Sequence, residues 1–367
     1  MAKAFAAADA TKVVHLPADL GMRAYSLSQV ERASGLESYM IVRSRGVHNS
    51  DWVEPLYSSN PIVYGWRLLR AFLKSSKADV IMANAGTSLI DFPRLHLELM
   101  DVALYRLLGK RLIVTYQGCD IRLCESCPIR ASLEAQALSE TCVNVPLGFT
   151  YRKFDRLKLK RFKVWSRYAD VILGITPDLC LMEGIVYSPH AKLLDALELK
   201  ATKNEDQGDS KVRIAHMPKK HVKGSEWIEQ QLETLCVNFP NEVEYVPIEG
   251  LAWKDCLKVL SSCDILIDQV LQGWYGGISV EAALLGVFPI AYVNPDFLRF
   301  VPDNMRNDLP VLALEDKVDL LHVLEQLISC RDGILQEAAR CRQSALKFHE
   351  AKAVAQRIIE QYYIYDL

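Results

Sequence analysis

The chain has 367 residues and a formal net charge of −2, from 43 basic and 45 acidic side chains, and half of its residues are hydrophobic. This composition excludes a disordered protein, and the length predicts two domains rather than one core. The near-zero charge predicts no general attraction to nucleic acid or membrane, so any basic patch must be local.

The sequence also predicts where the protein resides. An acid interrupts residues 1–9 too early for a secretory signal, and no run reaches the about 20 apolar residues of a transmembrane helix. The ten cysteines then favour a reducing compartment with mostly free thiols. We expect a cytoplasmic protein, with a peripheral position on the inner face of the membrane as the further option.

The first half of the chain alternates predicted strands with predicted helices. The strands are expected at 12–16, 39–42, 79–84, 111–116 and 170–175. The helices are expected at 23–34, 66–73, 95–108 and 151–165, and the punctuated region 45–62 is predicted to be a loop. This alternation is typical of a parallel sheet covered by helices.

Three of these strands deliver polar residues into the loops that follow them. They end near Leu16, at Asn84 and just before Gln117. Polar strand ends mark the ligand-binding edge of an open α/β sheet.

The βαβ pattern restarts after the polar run 199–211. Strands are predicted at 212–216, 242–246, 264–268, 287–293 and 311–314. Helices are predicted at 225–239, 253–260, 277–286, 317–330, 334–348 and 351–363. The second half is therefore also predicted to form an α/β domain.

A glycine turn, Gly276-Gly277, separates the strand at 264–268 from the next helix. Adjacent glycines let a ligand approach the backbone, and the N–H groups at a helix start favour a phosphate. Glu281 follows one turn into the helix. Taken alone, these glycines favour a tight connection in an ordinary α/β unit.

A lysine-rich loop follows the strand at 212–216. Lys219, Lys220 and Lys223 lie between this strand and a helix, where they could reach a diphosphate as point charges. A solvated surface loop is the alternative. The repetition of two anion-suited loops at one sheet edge favours the diphosphate.

Three segments together resemble family-4 retaining glycosyltransferases. Residues 212–225 resemble the strand and phosphate loop of that family, and residues 273–282 resemble its donor-binding segment E-G-F-G-L-P-x-x-E-A. Residues 115–122 are similar to its H-G-S-D-x-R segment. The resemblance implies an α/β protein of the GT-B fold, with two Rossmann-like domains facing across a cleft and a C-terminal helix crossing back to the first. The implied domains are 1–189, 190–345 and 346–367.

The resemblance also implies roles for individual residues. The residues implied for catalysis are Lys220, Lys223 and Glu281. The residues implied for donor binding are His216, Lys219, Asp268, Gly276, Gly277, Ile278 and Ser279. The residues implied for the acceptor side are Gly21, Arg23, Asn84, Gln117, Asp120 and Arg122. Within these sets, Glu281 would accept hydrogen bonds from the ribose, and no cofactor would be required besides the nucleotide-diphosphate sugar.

The chain departs from the family pattern at two positions. Gly273 replaces the first glutamate, and Gln117 replaces the histidine of the H-G-S-D segment. Both family residues usually contact the transferred sugar, so the identity of the sugar is open. Asp268 could partly replace the lost acid.

Four cysteines form a second pattern, Cys119, Cys124, Cys127 and Cys142. The spacing of the first three is shared with metal knuckles and plant-type ferredoxins. Free thiols are favoured, a structural zinc is the main alternative, and an iron–sulfur cluster is the third.

The segment 151–165 carries many basic residues with Phe154, Leu157, Phe162 and Trp165 at helical spacing. A solvated helix face is the ordinary interpretation. Contact with an anionic membrane surface is the alternative, since aromatic and basic residues combine in interfacial helices.

The sequence therefore predicts a retaining glycosyltransferase of the hexosyltransferase class, acting on a glycan or lipid-linked acceptor without nucleic acid as a partner. A sugar-nucleotide epimerase and a catalytically silent sugar-nucleotide-binding protein are the alternatives.

Overall fold

The computed structural model describes residues 11–43, 50–92, 97–124, 127, 150–193, 211–218 and 223–363. The chain divides into two compact units. Unit 1 comprises residues 1–125, 144–191 and 351–367, and unit 2 comprises residues 126–143 and 192–350.

Unit 1 contains a seven-stranded parallel sheet. Its strands are β1 (Lys12–Leu16), β2 (Glu37–Val42), β3 (Val53–Pro55), β4 (Val80–Asn84), β5 (Arg111–Tyr116), β6 (Val171–Gly174) and β7 (Ile185–Tyr187). Their order in the sheet is β3-β2-β1-β4-β5-β6-β7. Its α-helices are α1 (Arg23–Ala33), α2 (Pro61–Ser75), α3 (Met100–Leu107), α4 (Tyr151–Tyr168) and, from the end of the chain, a final helix. The strands are apolar on both faces because helices cover them, and Val14, Ile81 and Val114 are completely or almost completely buried.

Unit 2 contains a five-stranded parallel sheet. Its strands are β8 (Val212–His216), β9 (Val243–Pro247), β10 (Ile265–Ile267), β11 (Phe288–Tyr292) and β12 (Leu312–Leu314), in the order β12-β11-β10-β8-β9. Its α-helices are α5 (Ser225–Asn238), α6 (Trp253–Ser261), α7 (Gly277–Leu285), α8 (Asp303–Arg306), α9 (Leu320–Ile328) and α10 (Arg331–Phe348). Helix α7 ends at Gly286, whose φ of +79° is costly for any residue with a side chain.

The final helix α11 (Ala351–Ile358) continues as a π-helix over Ile359–Tyr363. Both segments group with unit 1, and α11 packs against α1. The hydroxyl of Tyr363 donates to Glu31 Oε1 over 2.6 Å, and both side chains are buried. The predicted return of the C-terminal helix to the first domain is confirmed.

Each unit is a Rossmann-like arrangement of parallel strands joined by helices, so the predicted α/β fold with two such domains is confirmed. The region 45–62 was wrongly predicted as loop, because Val53–Pro55 pairs with β2 and α2 begins at Pro61. The Asn60 side chain caps that helix by accepting hydrogen bonds from the N–H groups of Ile62 and Val63, and Pro61 suits the first turn. Strand β7 was not predicted.

Candidate functional site

Each sheet has a switch point, where the strand order reverses direction. In unit 2 the switch point lies between β8 and β10, and in unit 1 it lies between β1 and β4. Ligands of open α/β sheets bind beyond the carboxyl ends of the strands at this place. The donor-binding residues that the structure describes lie at the end of β8, in the loop after β10 and in the first turn of α7.

A buried ion pair joins these two loops of unit 2. Lys223 Nζ lies 2.8 Å from Asp268 Oδ1, and the two side chains are only 14 % and 1 % exposed. The backbone is joined as well, because the N–H of Val270 donates to the Lys223 carbonyl over 2.9 Å. A side chain at Gly224 would meet Val270 at 2.7 Å, so glycine is needed for this close approach. The two loops, which the sequence predicted as separate segments, are therefore bound to each other. We call this contact of Lys223 with Asp268 the joint.

Asp268 also holds the start of helix α7. Its Oδ2 accepts hydrogen bonds from the Gly276 N–H over 2.7 Å and from the Ser279 hydroxyl over 2.8 Å. Burial alone would raise the pKa of Asp268, but the Lys223 ammonium and these two donors outweigh burial and lower it. The carboxylate is therefore charged in the folded protein. The Gly276 N–H, which was predicted to face the donor, thus already has Asp268 as its acceptor.

His216, at the end of β8, is completely buried. Its Nδ1 lies 2.7 Å from the Ile267 carbonyl, which can only accept, so Nδ1 carries the proton. Its Nε2, 2.9 Å from the Ser225 hydroxyl, is then the acceptor. Burial, together with the nearby Lys223 ammonium, lowers the pKa of His216 to about 4. His216 is a neutral link between β10 and the start of α5, with both ring nitrogens occupied.

Glu281 lies one turn inside α7 and is 4 % exposed. Its Oε1 is 2.6 Å from Lys192 Nζ, and its Oε2 accepts a hydrogen bond from Trp253 Nε1 over 3.4 Å. The structure thus gives Glu281 two partners that the sequence analysis did not identify. Lys192 and Trp253 are distant in sequence and belong to no motif, so no local signal could have identified them.

The loop before α7 is held by Gln269, another residue that sequence reasoning missed. Its Oε1 accepts from the N–H groups of Leu271 and Gln272 over 2.9 and 2.6 Å. Its Nε2 donates to the carbonyls of Trp274 and Tyr292 over 3.1 and 2.8 Å. Gln269 is 1 % exposed, so the loop has a buried amide as its scaffold.

Gly273 has a structural reason to be glycine. Its φ is +74°, and a Cβ there would lie 2.8 Å from the Phe297 ring and 3.2 Å from Asn294. A glutamate at this position would require the ring to move. The departure from the family pattern is therefore part of the local packing.

Lys219 and Lys220 lie outside the described residues, as does Cys142. Gly277 and Ile278 occupy the first turn of α7, as predicted.

The acceptor-side residues predicted in unit 1 follow β1, β4 and β5, which are neighbours in the sheet. Gly21 is exposed with a φ of +61°, and Asn84 is buried at the end of β4. Arg23 is 2 % exposed and donates to the Pro189 carbonyl and the Ser188 hydroxyl. Burial lowers the pKa of Arg23 to about 10. The Arg23 guanidinium therefore joins two segments of unit 1.

The loop after β5 is organised by its own side chains. Asp120 accepts hydrogen bonds from the N–H groups of Gln117 and Gly118. Burial raises the pKa of Asp120, although these bonds oppose the shift. Arg122 donates to Asp178 over 2.6 Å. Asp120 and Arg122 thus fix the loop, whereas the Gln117 Nε2 is buried with no hydrogen-bond partner among the described residues.

Three of the four patterned cysteines are described. Cys119 and Cys127 are half-buried and Cys124 is buried, all as thiols. Among the described residues, no group of three or more His, Cys, Asp or Glu could hold a metal ion.

The basic segment 151–165 forms most of α4. Trp165 is 1 % exposed and donates to the Gly86 carbonyl over 3.0 Å, and Phe162 packs against the core. The aromatic face predicted to contact a membrane is therefore turned inward, while basic side chains such as Lys153 and Lys163 are exposed. No helix in the described ranges has both the length and the apolar character needed to span a bilayer.

Comparison of the sequence with models of known families and with curated proteins gave no match. Solved structures of GT-B glycosyltransferases are nevertheless similar over almost the whole chain. The structure of a sucrose-phosphate synthase from Thermosynechococcus elongatus has a TM-score of 0.59 at 12 % identity, covering 96 % of this chain and 98 % of that one. Anabaena HepE in complex with UDP-glucose has a TM-score of 0.54 at 10 % identity, covering 95 % and 98 %.

A third similar structure is an alpha-glucosyltransferase in complex with UDP-glucose and DNA containing an abasic site. Its TM-score is 0.60 at 9 % identity, covering 97 % of this chain and 100 % of that one. At these identities the similarity establishes the GT-B fold.

Proposed function

We propose that the chain is a glycosyltransferase that moves a hexose from a nucleotide-diphosphate sugar to a glycan or lipid-linked acceptor, with retention of anomeric configuration. The observation that carries this proposal is the joint at the switch point of unit 2, where Lys223 and Asp268 meet beneath the start of α7. Among structures of the same fold, HepE and the alpha-glucosyltransferase were solved with UDP-glucose, which supports a nucleotide sugar as donor.

Lys223 would stabilise the leaving diphosphate. An ammonium has three N–H donors, and Asp268 uses one of them in the pair, so two can serve a phosphate. Negative charge grows on the diphosphate as the sugar departs, so a cation fixed in advance stabilises the transition state more than the ground state. In this proposal Asp268 positions Lys223.

The first turn of α7 would complete the diphosphate site. Because Asp268 occupies the Gly276 N–H, the N–H groups of Gly277 and Ile278 are the donors we propose for the phosphate. The Lys223–Asp268 pair has no net charge, so Lys219 and Lys220 would supply the net positive charge that attracts a diphosphate. No protein base is needed for retention, since the leaving phosphate can take the acceptor proton.

Gly21, Asn84 and Gln117 are the acceptor-side residues that we retain in the proposal. The side-chain nitrogen of Gln117 is buried and has no hydrogen-bond partner among the described residues. It suits a polar group such as a sugar hydroxyl, because an unbonded buried donor is costly until a ligand pairs it. We propose 1–189, 190–345 and 346–367 as the functional domains.

The test is Lys223→Ala, assayed with a donor first identified by a thermal-shift screen of nucleotide sugars. We expect turnover to fall on the order of 100-fold. Lys258→Ala, which removes an exposed lysine of α6 in the same unit, is the matched control and should leave turnover unchanged. Equal turnover in the wild type and Lys223→Ala would refute the proposal.

A catalytically silent sugar-nucleotide-binding protein is the second candidate. Gly273, fixed by its φ and by Phe297, favours it because no acid can occupy that position without rearrangement. Binding of a nucleotide sugar with neither sugar transfer nor hydrolysis of the donor would support this candidate instead.

A further inference from the structure

Unit 1 exposes an unusual apolar stripe along helix α2. Ile62, Trp66, Leu69 and Leu73 are 81 %, 68 %, 49 % and 56 % exposed. Their spacing of four, three and four residues places them on one face of the helix. A tryptophan and three aliphatic side chains in a continuous exposed row mark a docking surface rather than ordinary scattered exposure.

The neighbouring helix α3 extends this apolar surface. Phe72 of α2 packs on Tyr105 of α3 with ring centroids 5.3 Å apart, and the Tyr105 hydroxyl lies 2.5 Å from the Ser75 hydroxyl, so the two helices touch at these residues. On the outer side of α3, Leu104 and Leu107 are 44 % and 83 % exposed. The apolar surface therefore spans two adjacent helices.

Basic side chains flank the apolar surface. Arg70 and Lys74 are exposed on α2, and Arg106 is exposed on α3. Helix α4 contacts α3 and exposes further cations, among them Lys153, Arg156 and Lys163. The only acids within these three helices, Asp101 and Asp155, are buried, so the helices themselves expose only positive charge. Acids outside them neutralise part of it, because Lys74 pairs with Glu54 and Arg106 with Asp170.

We propose that the outer face of α2, α3 and α4 binds the surface of a membrane that contains anionic lipid. Apolar side chains with tryptophan would enter the boundary between headgroups and acyl chains, and lysines and arginines beside them would contact the lipid phosphates. A second copy of the same face would be repelled by its like charge, and a nucleic acid would leave the aliphatic side chains in water. The apolar residues come from α2 and α3, whereas α4 contributes charge.

The first experiment measures co-sedimentation of the full chain with vesicles. We expect binding to phosphatidylcholine vesicles containing about 30 % phosphatidylglycerol and much weaker binding to phosphatidylcholine alone. The double variant Trp66→Ser/Leu73→Ser should bind the anionic vesicles at least about tenfold less, since two large apolar side chains no longer enter the lipid. Val237→Ser/Leu335→Ser, which changes two exposed apolar residues of unit 2, is the matched control and should bind as the wild type does.

A second experiment locates the contact. Vesicles with brominated acyl chains should quench the fluorescence of Trp66, and this quenching should disappear in Trp66→Phe while co-sedimentation is retained. Lys153→Gln/Arg156→Gln/Lys163→Gln should weaken binding to anionic vesicles, whereas Lys254→Gln/Lys258→Gln in unit 2 should not.

Three outcomes would overturn the proposal. One is equal co-sedimentation of Trp66→Ser/Leu73→Ser and its control Val237→Ser/Leu335→Ser with anionic vesicles. Another is equal binding of the wild-type chain to neutral and anionic vesicles. The third is a dimer of the wild-type chain that Trp66→Ser/Leu73→Ser dissociates, because the face would then bind a second copy. An unchanged melting temperature of Trp66→Ser/Leu73→Ser would show that weaker vesicle binding does not come from unfolding.

Discussion

Asp268 is a buried carboxylate with three partners, Lys223, Gly276 and Ser279. Its pKa is lower in the folded chain than in the unfolded chain. The carboxylate therefore stabilises the fold at pH above about 4, and this contribution is lost as the pH falls through the folded-state pKa.

For Asp268→Asn we expect a loss of about 3 kcal/mol in the free energy of unfolding at neutral pH, because Lys223 is left without its counter-charge. The difference from the wild type should start to shrink near pH 4, where the unfolded chain takes up the proton, and should vanish below the lower folded-state pKa of Asp268. Urea unfolding across this pH range measures both effects. Asp255→Asn, at an exposed position of α6, is the control, and a difference that does not change with pH would contradict the prediction.

Gly273 provides a second prediction at this scale. Gly273→Ala should lose about 3 kcal/mol of stability, because the left-handed φ and the contact with Phe297 both penalise a Cβ. Gly250 has a similar φ of +68° with nothing within 4 Å of a Cβ, so Gly250→Ala isolates the backbone strain and should cost about 1 kcal/mol. Equal losses in thermal or urea unfolding would show that Phe297 does not constrain the position.

At the scale of elements, the glycine loop between β10 and α7 depends on Gln269. Its four hydrogen bonds fix both ends of the loop. The N-terminus of α7 is thereby held in place by a side chain that no motif contains.

Gln269→Leu should expose the loop to local opening. The amides of Leu271 and Gln272 lose their acceptor, so we expect faster hydrogen exchange at these two positions and a loss of about 3 kcal/mol in stability. Gln230→Leu, at an exposed position of α5, should change neither. Unaltered exchange at Leu271 and Gln272 would contradict this role.

The elements themselves were largely predictable, because strands buried on both faces and helices with one apolar face leave periodic signals. The exceptions have physical reasons. Strand β3 has only three residues and ends in proline, and the start of α2 depends on Asn60 and Pro61 rather than on periodicity.

The candidate site was predictable only in part. Lys223, Asp268 and the glycine turn stand at strand ends, which a sequence reveals. The ion pair between Lys223 and Asp268, and the partners of Glu281, depend on tertiary contacts between distant segments. The inward orientation of Trp165 was also hidden, since a helical period does not tell which side faces the core.

At the scale of the whole molecule, unit 1 contains both the beginning and the end of the described chain. Glu31 of α1 is the meeting point. It contacts His15 and Ser38 and accepts the Tyr363 hydroxyl, all as buried groups.

Tyr363→Phe should therefore destabilise unit 1 by about 1–2 kcal/mol, since a buried carboxylate loses a donor. Hydrogen exchange should accelerate in α1 and α11 before it does so in unit 2. Tyr362→Phe is the control. Tyr362 is the neighbouring residue and is less buried, so the loss of its hydroxyl should have little effect. Uniform acceleration across both units would contradict the assignment.

During synthesis, Glu31 leaves the ribosome long before Tyr363. All of residues 192–350 emerge between these two partners, so the sequence of unit 2 is available before unit 1 has its last helix. Domains generally fold as units as the chain emerges. For this chain we therefore expect the sheet of unit 2 to be completed first. Until α11 emerges, α1 keeps an uncovered face and Glu31 lacks the hydrogen bond from the Tyr363 hydroxyl. The N-terminal unit is then the last to mature, and it is the part of the nascent chain that a chaperone would bind.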